Sequence, residues 1–170
     1  LKKIQEQYPS EMEKVSQKAV IYNILDQDSC YRTYIQPNWP KLQVLGSFQQ
    51  YNALAYGWAS TMPPSVRQYF ERPWMEANIT VDRGPLAGAY EPNNGAFRSE
   101  GDSPSYMYEI EVGLRSMENP SYGGWGGRFA APVEGQGNLW NNVGDDGIMA
   151  KAIWRWGAAF QNDFAARAAW

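Results

Sequence analysis

Residues 100–105, Glu-Gly-Asp-Ser-Pro-Ser, combine a carboxylate in a tight turn with a residue pair suited to opening a helix. Ser103 can cap a helix, and Pro104 can occupy the first helical position, where its missing N–H costs nothing. Asp102 would then lie near a strand-to-helix junction, where α/β proteins collect ligand-binding groups. Asp102 is therefore a candidate site residue. The alternative is a turn-forming aspartate that accepts hydrogen bonds from nearby backbone N–H groups.

A second acidic turn carries Asp26 and Asp28 just after an apolar, β-branched run over residues 20–25. Open α/β sheets bind ligands at the carboxyl ends of their strands, so Asp28 is a candidate for contacting substrate. Capping of the following helix is an equally good explanation. Two aspartate turns modestly favour a hard cation such as Ca²⁺, which takes six or more oxygen ligands, more than this chain offers alone.

The glycine-rich segment Gly123-Gly124-Trp125-Gly126-Gly127 and the following Arg128 form another candidate binding site. Trp125 lies between glycines, so a ligand can approach its indole closely, although aromatic side chains more often fill cores. Arg128 can clamp a carboxylate or a pair of hydroxyls, or form a surface salt bridge. Asn52 can present an amide to a polar ligand, with a structural turn as the alternative.

Composition excludes several classes of chemistry. The 170 residues contain no histidine and one cysteine, so the chain cannot complete a serine triad, a cysteine–histidine pair or a His-ligated zinc site. A formal net charge of −3 gives no electrostatic footprint for nucleic acid. No apolar run approaches the length needed to cross a bilayer, and the glycine-rich segment lacks a phosphate-loop pattern. We therefore expect neither a nucleic-acid partner nor a membrane partner.

The predicted elements are those of an α/β layer. A broken amphipathic helix with a capping box at Ser10–Glu13 precedes a strand at 20–25, a short helix within 29–38 and a strand at 41–46. Further helices are predicted to start near Pro64, over 103–114 and within 145–170, and a long loop over 81–100. Two strands are too few for an independent sheet, which favours a partial domain.

Several motifs together resemble one family. They include the strings GDSPS, GGWGGRF and NDFAAR, and they occur in order at residues 21–28, 38–40, 56–58, 100–105, 123–129 and 162–167. The set resembles the cellulose-binding, nucleoside-hydrolase-like proteins. The resemblance implies a mostly parallel sheet flanked by helices, with the site at the carboxyl ends of the strands.

The resemblance also implies a metal site. In nucleoside hydrolases an N-terminal aspartate cluster holds Ca²⁺, a later aspartate completes the shell, and the metal activates water and binds sugar hydroxyls. Asp102 matches the later aspartate, whereas the N-terminal cluster has no counterpart here. Residues 1–170 thus resemble the C-terminal portion of the hydrolase-like domain, without the N-terminal half, which would be a partner, and without the downstream β-sandwich. A secreted or periplasmic location is implied as well.

One departure from the family pattern affects the expected activity. Nucleoside hydrolases often have a histidine immediately before the late aspartate, and here that residue is Gly101, with Glu100 as a candidate proton donor. A carbohydrate-like glycosidic substrate, or another ribosyl-type small ligand, then fits better than a common nucleoside. The first hypothesis is a Ca²⁺-dependent glycosyl hydrolase whose isolated chain is inactive. The alternative is a non-catalytic cellulose binder that uses exposed aromatics such as Trp125.

Overall fold

A four-stranded sheet in the order β1-β2-β4-β3 organises the chain in a computed structural model that describes residues 1–54, 60–85, 87, 103–135 and 137–169. Its strands are β1 (Val20–Ile24), β2 (Gln43–Ser47), β3 (Phe129–Ala130) and β4 (Leu139–Asn142). β1, β2 and β4 run parallel, and β3 is antiparallel to β4. The predicted mostly parallel sheet flanked by helices is confirmed.

The strand directions bring distant segments to one edge of the sheet. The parallel strands end at the same edge, and the antiparallel β3 begins there because Phe129 pairs with Asn142 at the end of β4. The glycine-rich segment directly precedes Phe129. It therefore lies at the carboxyl edge, beside the segments that follow β2 and β4.

Short helices surround the sheet. They are α1 (Lys2–Gln7), α2 (Met12–Lys18), α3 (Gln36–Asn38), α4 (Pro64–Arg67), α5 (Arg72–Met75), α6 (Ser103–Met107), α7 (Lys151–Trp154) and α8 (Gly157–Ala168). Single 3₁₀ turns cover Pro9–Glu11, Gln68–Phe70 and Pro120–Tyr122, and π-helical turns cover Tyr31–Ile35 and Glu76–Thr80. No helix among the described residues is long and apolar enough to cross a bilayer.

Most predicted elements are present, with three corrections. The helix predicted over 103–114 ends at Met107, and Gly113 has a φ of 78°, which is incompatible with continued helix. The prediction of a capping box at Ser10 is wrong, because α2 begins after Glu11 and has no side-chain cap. The prediction of two strands is too low, because the described sheet also contains β3 and β4. Most of the predicted loop over 81–100 lies outside the described residues.

The two faces of β2 belong to different buried clusters. Val44 and Leu45 are both completely buried, and they point to opposite faces because successive side chains alternate along a strand. Val44 packs in a cluster that α1 and α2 cover, whereas Leu45 packs with Tyr108 and Phe129. A further cluster links the segment after β2 with α7 and α8. This last cluster borders the candidate site.

Three tyrosines whose phenols lose contact with water, Tyr22, Tyr31 and Tyr108, have a raised pKa and make the stability depend on alkaline pH. Burial raises the pKa of Tyr22 well above its usual value near 10 and raises the pKa of Tyr108 to about 12. The folded state therefore keeps its phenolic protons at pH values where the unfolded chain loses them. This contribution to stability is complete below pH 10 and is lost as the pH rises from 10 toward 12.

We expect the free energy of unfolding, measured by urea titration between pH 8.5 and 11.5, to fall above pH 10 by up to about 1.4 kcal/mol per pH unit for each tyrosine. The double variant Tyr22→Phe/Tyr108→Phe should reduce this slope, with the contribution of Tyr31 remaining. Tyr122→Phe, at a side chain 54% exposed, serves as the control. A slope that is equally steep in the double variant would contradict the assignment.

Candidate functional site

A tight turn presents Trp125 at the carboxyl edge of the sheet. The N–H of Gly124 donates to the carbonyl of Gly127, and the N–H of Gly127 donates to the carbonyl of Gly124, each at 3.1 Å. Trp125 and Gly126 thus occupy the tip of a two-residue turn. The four glycines are buried and Trp125 is half-buried, so the turn inserts into the fold.

Close packing fixes the backbone of this turn. A Cβ atom on Gly126 would lie 2.4 Å from Cα of Tyr108, so only glycine permits the observed approach. The phenol of Tyr22 donates to the carbonyl of Gly126 at 2.9 Å. Strand β1 and the residue after α6 therefore hold the turn from two sides.

The amide of Gln50 connects the ends of two strands to this turn. Its Nε2 donates to the carbonyls of Val143 at 2.8 Å and Met149 at 3.2 Å. Its Oε1 accepts from Nδ2 of Asn142 at 3.2 Å and from the backbone N–H of Arg128 at 3.3 Å. Gln50 is completely buried, and all four hydrogen-bonding positions of its amide are occupied.

A cavity of about 600 Å³ opens beside Trp125, a size typical of small-molecule sites. Its described wall is formed by segments that follow β2, by α6, by the glycine turn and by α8. The apolar lining residues are Leu54, Phe70, Met75, Ile79, Pro85, Ala87, Met107, Ile110, Trp125, Phe160, Phe164 and Ala168. The Trp125 ring meets the Phe160 ring edge-on, with centroids 6.1 Å apart.

A few polar side chains interrupt this apolar wall. Gln161 is 6% exposed and donates through Nε2 to the carbonyl of Tyr69 at 2.8 Å. The same Nε2 also donates to Sδ of Met75 at 3.2 Å. Arg83 also lines the cavity, and it forms no ion pair with the described part of the chain. Arg167 and Asp163 line it too and pair with each other at 2.7 Å.

Of the residues predicted to bind substrate, Trp125 alone lines the described wall of this cavity. Arg128 donates to Oδ1 of Asp145 and to the carbonyl of Gly144, both at 2.9 Å, so its guanidinium forms the alternative salt bridge. Asn52 follows β2, and its buried Oδ1 accepts no hydrogen bond from the described residues. The ligand roles of Arg128 and Asn52 stay predictions.

The two aspartates of the acidic turn after β1 accept hydrogen bonds from nearby backbone N–H groups. Oδ1 of Asp28 accepts the N–H of Cys30 at 3.0 Å, and Asp28 is exposed. Oδ1 of Asp26 accepts the N–H of Tyr31 at 2.9 Å, at the start of the helical segment. Both hydrogen bonds are those of the helix-capping alternative, and a substrate contact for Asp28 stays a prediction.

The described residues do not fit a calcium shell. None of them form a group of three or more carboxylate, cysteine or histidine side chains that could hold a metal. Ca²⁺ needs six or more oxygen ligands, and the carboxylates at the carboxyl edge already accept hydrogen bonds or form ion pairs. Asp102, the predicted metal ligand, and Glu100, the predicted proton donor, lie outside the described residues.

Sequence reasoning missed two buried glutamines. Gln50 and Gln161 occupy positions that only the tertiary structure makes polar, one after β2 and one within α8. A single glutamine carries no spacing signal, because its partners lie 78 to 99 residues away for Gln50. The only hint for Gln161 is that it directly follows Phe160, which belongs to the apolar face predicted for the last helix.

A comparison with protein families finds a match over residues 1–129 to the family described as the cellulose-binding Sde182, nucleoside hydrolase-like domain. The chain belongs to this family. The match covers the glycine turn and GDSPS, so the family assignment made from these motifs is confirmed. No curated protein matches the chain.

A solved structure also shares the fold. It is a nucleoside hydrolase-related hypothetical protein from Saccharophagus degradans that is associated with carbohydrate metabolism. The two chains are 25% identical with a TM-score of 0.63, and the match covers 98% of this chain. This chain spans 38% of the length of that protein. It therefore corresponds to a part of that relative's nucleoside hydrolase-related fold.

The glycine turn can be tested by adding single methyl groups. Gly126→Ala should lower the free energy of unfolding by about 2–3 kcal/mol, because the new Cβ collides with the backbone of Tyr108. Gly124→Ala is the matched control, since its Cβ would lie 3.2 Å from Oγ of Ser116, and it should cost less than about 1 kcal/mol. Urea denaturation measures both, and equal costs would contradict the role of close packing.

Proposed function

We propose that this family member binds carbohydrate through the cavity beside Trp125. The observation that carries the proposal is an indole held by a rigid glycine turn at the wall of a concave site of about 600 Å³. The apolar CH face of a sugar ring packs on an aromatic plane, while nearby polar groups take up its hydroxyls. Gln161 and the Asp163–Arg167 pair are available for those hydroxyls.

The comparisons support the same ligand class. The matching family is described as cellulose-binding, and the related structure as associated with carbohydrate metabolism. A rigid binding surface loses little conformational freedom on association, which favours affinity. Cellulose fragments are therefore the first ligands to examine.

Cellohexaose titrated into the protein should give a calorimetric binding signal that Trp125→Ala weakens at least about tenfold, the loss typical of a buried tryptophan anchor. Trp74→Ala is the matched control, because Trp74 packs on Tyr69 and does not line the cavity. Circular dichroism checks that both variants fold. Equal affinity in the two variants would place the ligand elsewhere.

The second candidate function is hydrolysis of a glycosidic bond. Ser103, the residue after Asp102 in the sequence, lines the cavity. We propose Asp102 as a metal ligand and Glu100 as a proton donor on the strength of the family pattern. The missing calcium ligands would come from sequence outside this chain.

Hydrolysis of 4-nitrophenyl glycosides by the whole protein should disappear with a chelator, return with added Ca²⁺, and fall at least about a hundredfold in Asp102→Asn. Asp146→Asn controls for loss of a carboxylate, because Asp146 is exposed and pairs only locally with Lys151. An unchanged rate in the presence of chelator would exclude calcium dependence. A complete absence of turnover would leave binding as the function.

A further inference from the structure

The inner wall of the cavity is more apolar than a sugar requires. Completely or nearly completely buried side chains such as Ile79, Met107 and Phe160 form much of it. A pyranose carries a hydroxyl on almost every ring carbon, and each one that is buried without a partner costs free energy. The described wall offers too few polar groups to satisfy a whole sugar in its interior. Some other part of the ligand must fill the apolar region.

One charged group marks how that part is oriented, because the amide of Gln161 on the same wall already donates to the carbonyl of Tyr69 and to the sulfur of Met75. Arg83 is half-buried at the wall and forms no ion pair with another described residue. An anionic group on the ligand would give its guanidinium a charge-assisted hydrogen-bonded pair.

We propose that the cavity accepts an aromatic substituent of a glycoside or glycan, with its ring against Phe160 and a ring carboxylate at Arg83. The inference rests on the proposed carbohydrate function and names the ligand class at the same site. A cavity of about 150 Å³ holds a benzene ring. The observed volume of about 600 Å³ therefore takes an aryl ring together with one sugar unit beside Trp125.

A nucleobase fits the same space less well. Purines and pyrimidines present several hydrogen-bonding atoms around the ring, and most of them would face apolar carbons of the described wall. An aryl ring with a single carboxylate needs only one charged contact. The chemistry of the wall thus favours aryl over nucleobase.

Three glucosides test the inference by calorimetry: methyl, phenyl and 4-carboxyphenyl β-glucoside. The phenyl compound should bind at least tenfold more tightly than the methyl compound, and the carboxylate should add at least a further threefold. Arg83→Gln should remove the carboxylate preference and leave phenyl binding in place. Arg72→Gln is its matched control, because Arg72 pairs with Glu76 away from the cavity. Loss of the carboxylate preference in both variants would overturn the role of Arg83.

A second pair of variants locates the aryl ring. Ala168 lines the cavity, whereas Ala166 on the same helix is exposed and does not. Ala168→Trp should reduce phenyl glucoside affinity to that of the methyl compound, and Ala166→Trp should leave it unchanged. Cellohexaose binding with no preference for phenyl over methyl would overturn this inference and keep the proposed function. Failure of every glycoside and of cellohexaose to bind would overturn the proposed function itself.

Discussion

One buried amide determines how the carboxyl edge of the sheet is assembled. Gln50 bridges the segment after β2, the end of β4 and the start of β3, and each of its hydrogen-bonding positions has a partner. A buried amide with unmet hydrogen bonds is costly, so these partners are mutually dependent. Gly127 belongs to the same arrangement, because a Cβ there would lie 2.2 Å from Oε1 of Gln50. The backbone of the glycine turn is thereby fixed relative to the sheet.

The fixed backbone of the glycine turn determines where the aromatic wall of the site lies. The turn carries Trp125 toward α8, whose Phe160 meets the indole edge-on. Because the turn has no side chains apart from that indole, Tyr108, the residue after α6, can pack directly on its backbone. The result is an aromatic wall supported by rigid main chain rather than by a flexible loop. Such a wall can discriminate between ligands by shape as well as by polarity.

The sequence predicts the regular elements better than the site. Val20–Ile24 is rich in β-branched residues, and Gln43–Ser47 centres on the apolar pair Val44 and Leu45, so both strands were predictable. β3 and β4 are two and four residues long, too short for a periodic signal. The roles of side chains were harder to predict than the strands. The residues around Arg128 in the sequence do not show whether its guanidinium pairs with Asp145 or binds a ligand. Trp125 was predictable because four neighbouring glycines are informative in themselves.

The position of β1 has a consequence for any larger assembly. Within the described sheet β1 pairs only with β2, so it is an edge strand at which another strand can pair, and the opposite border is the two-residue antiparallel pairing of β3 with β4. None of the described lining residues of the cavity comes from α1, α2 or β1. Strands supplied by additional polypeptide can therefore extend the sheet at β1, a strand that contributes no described residue to the cavity wall.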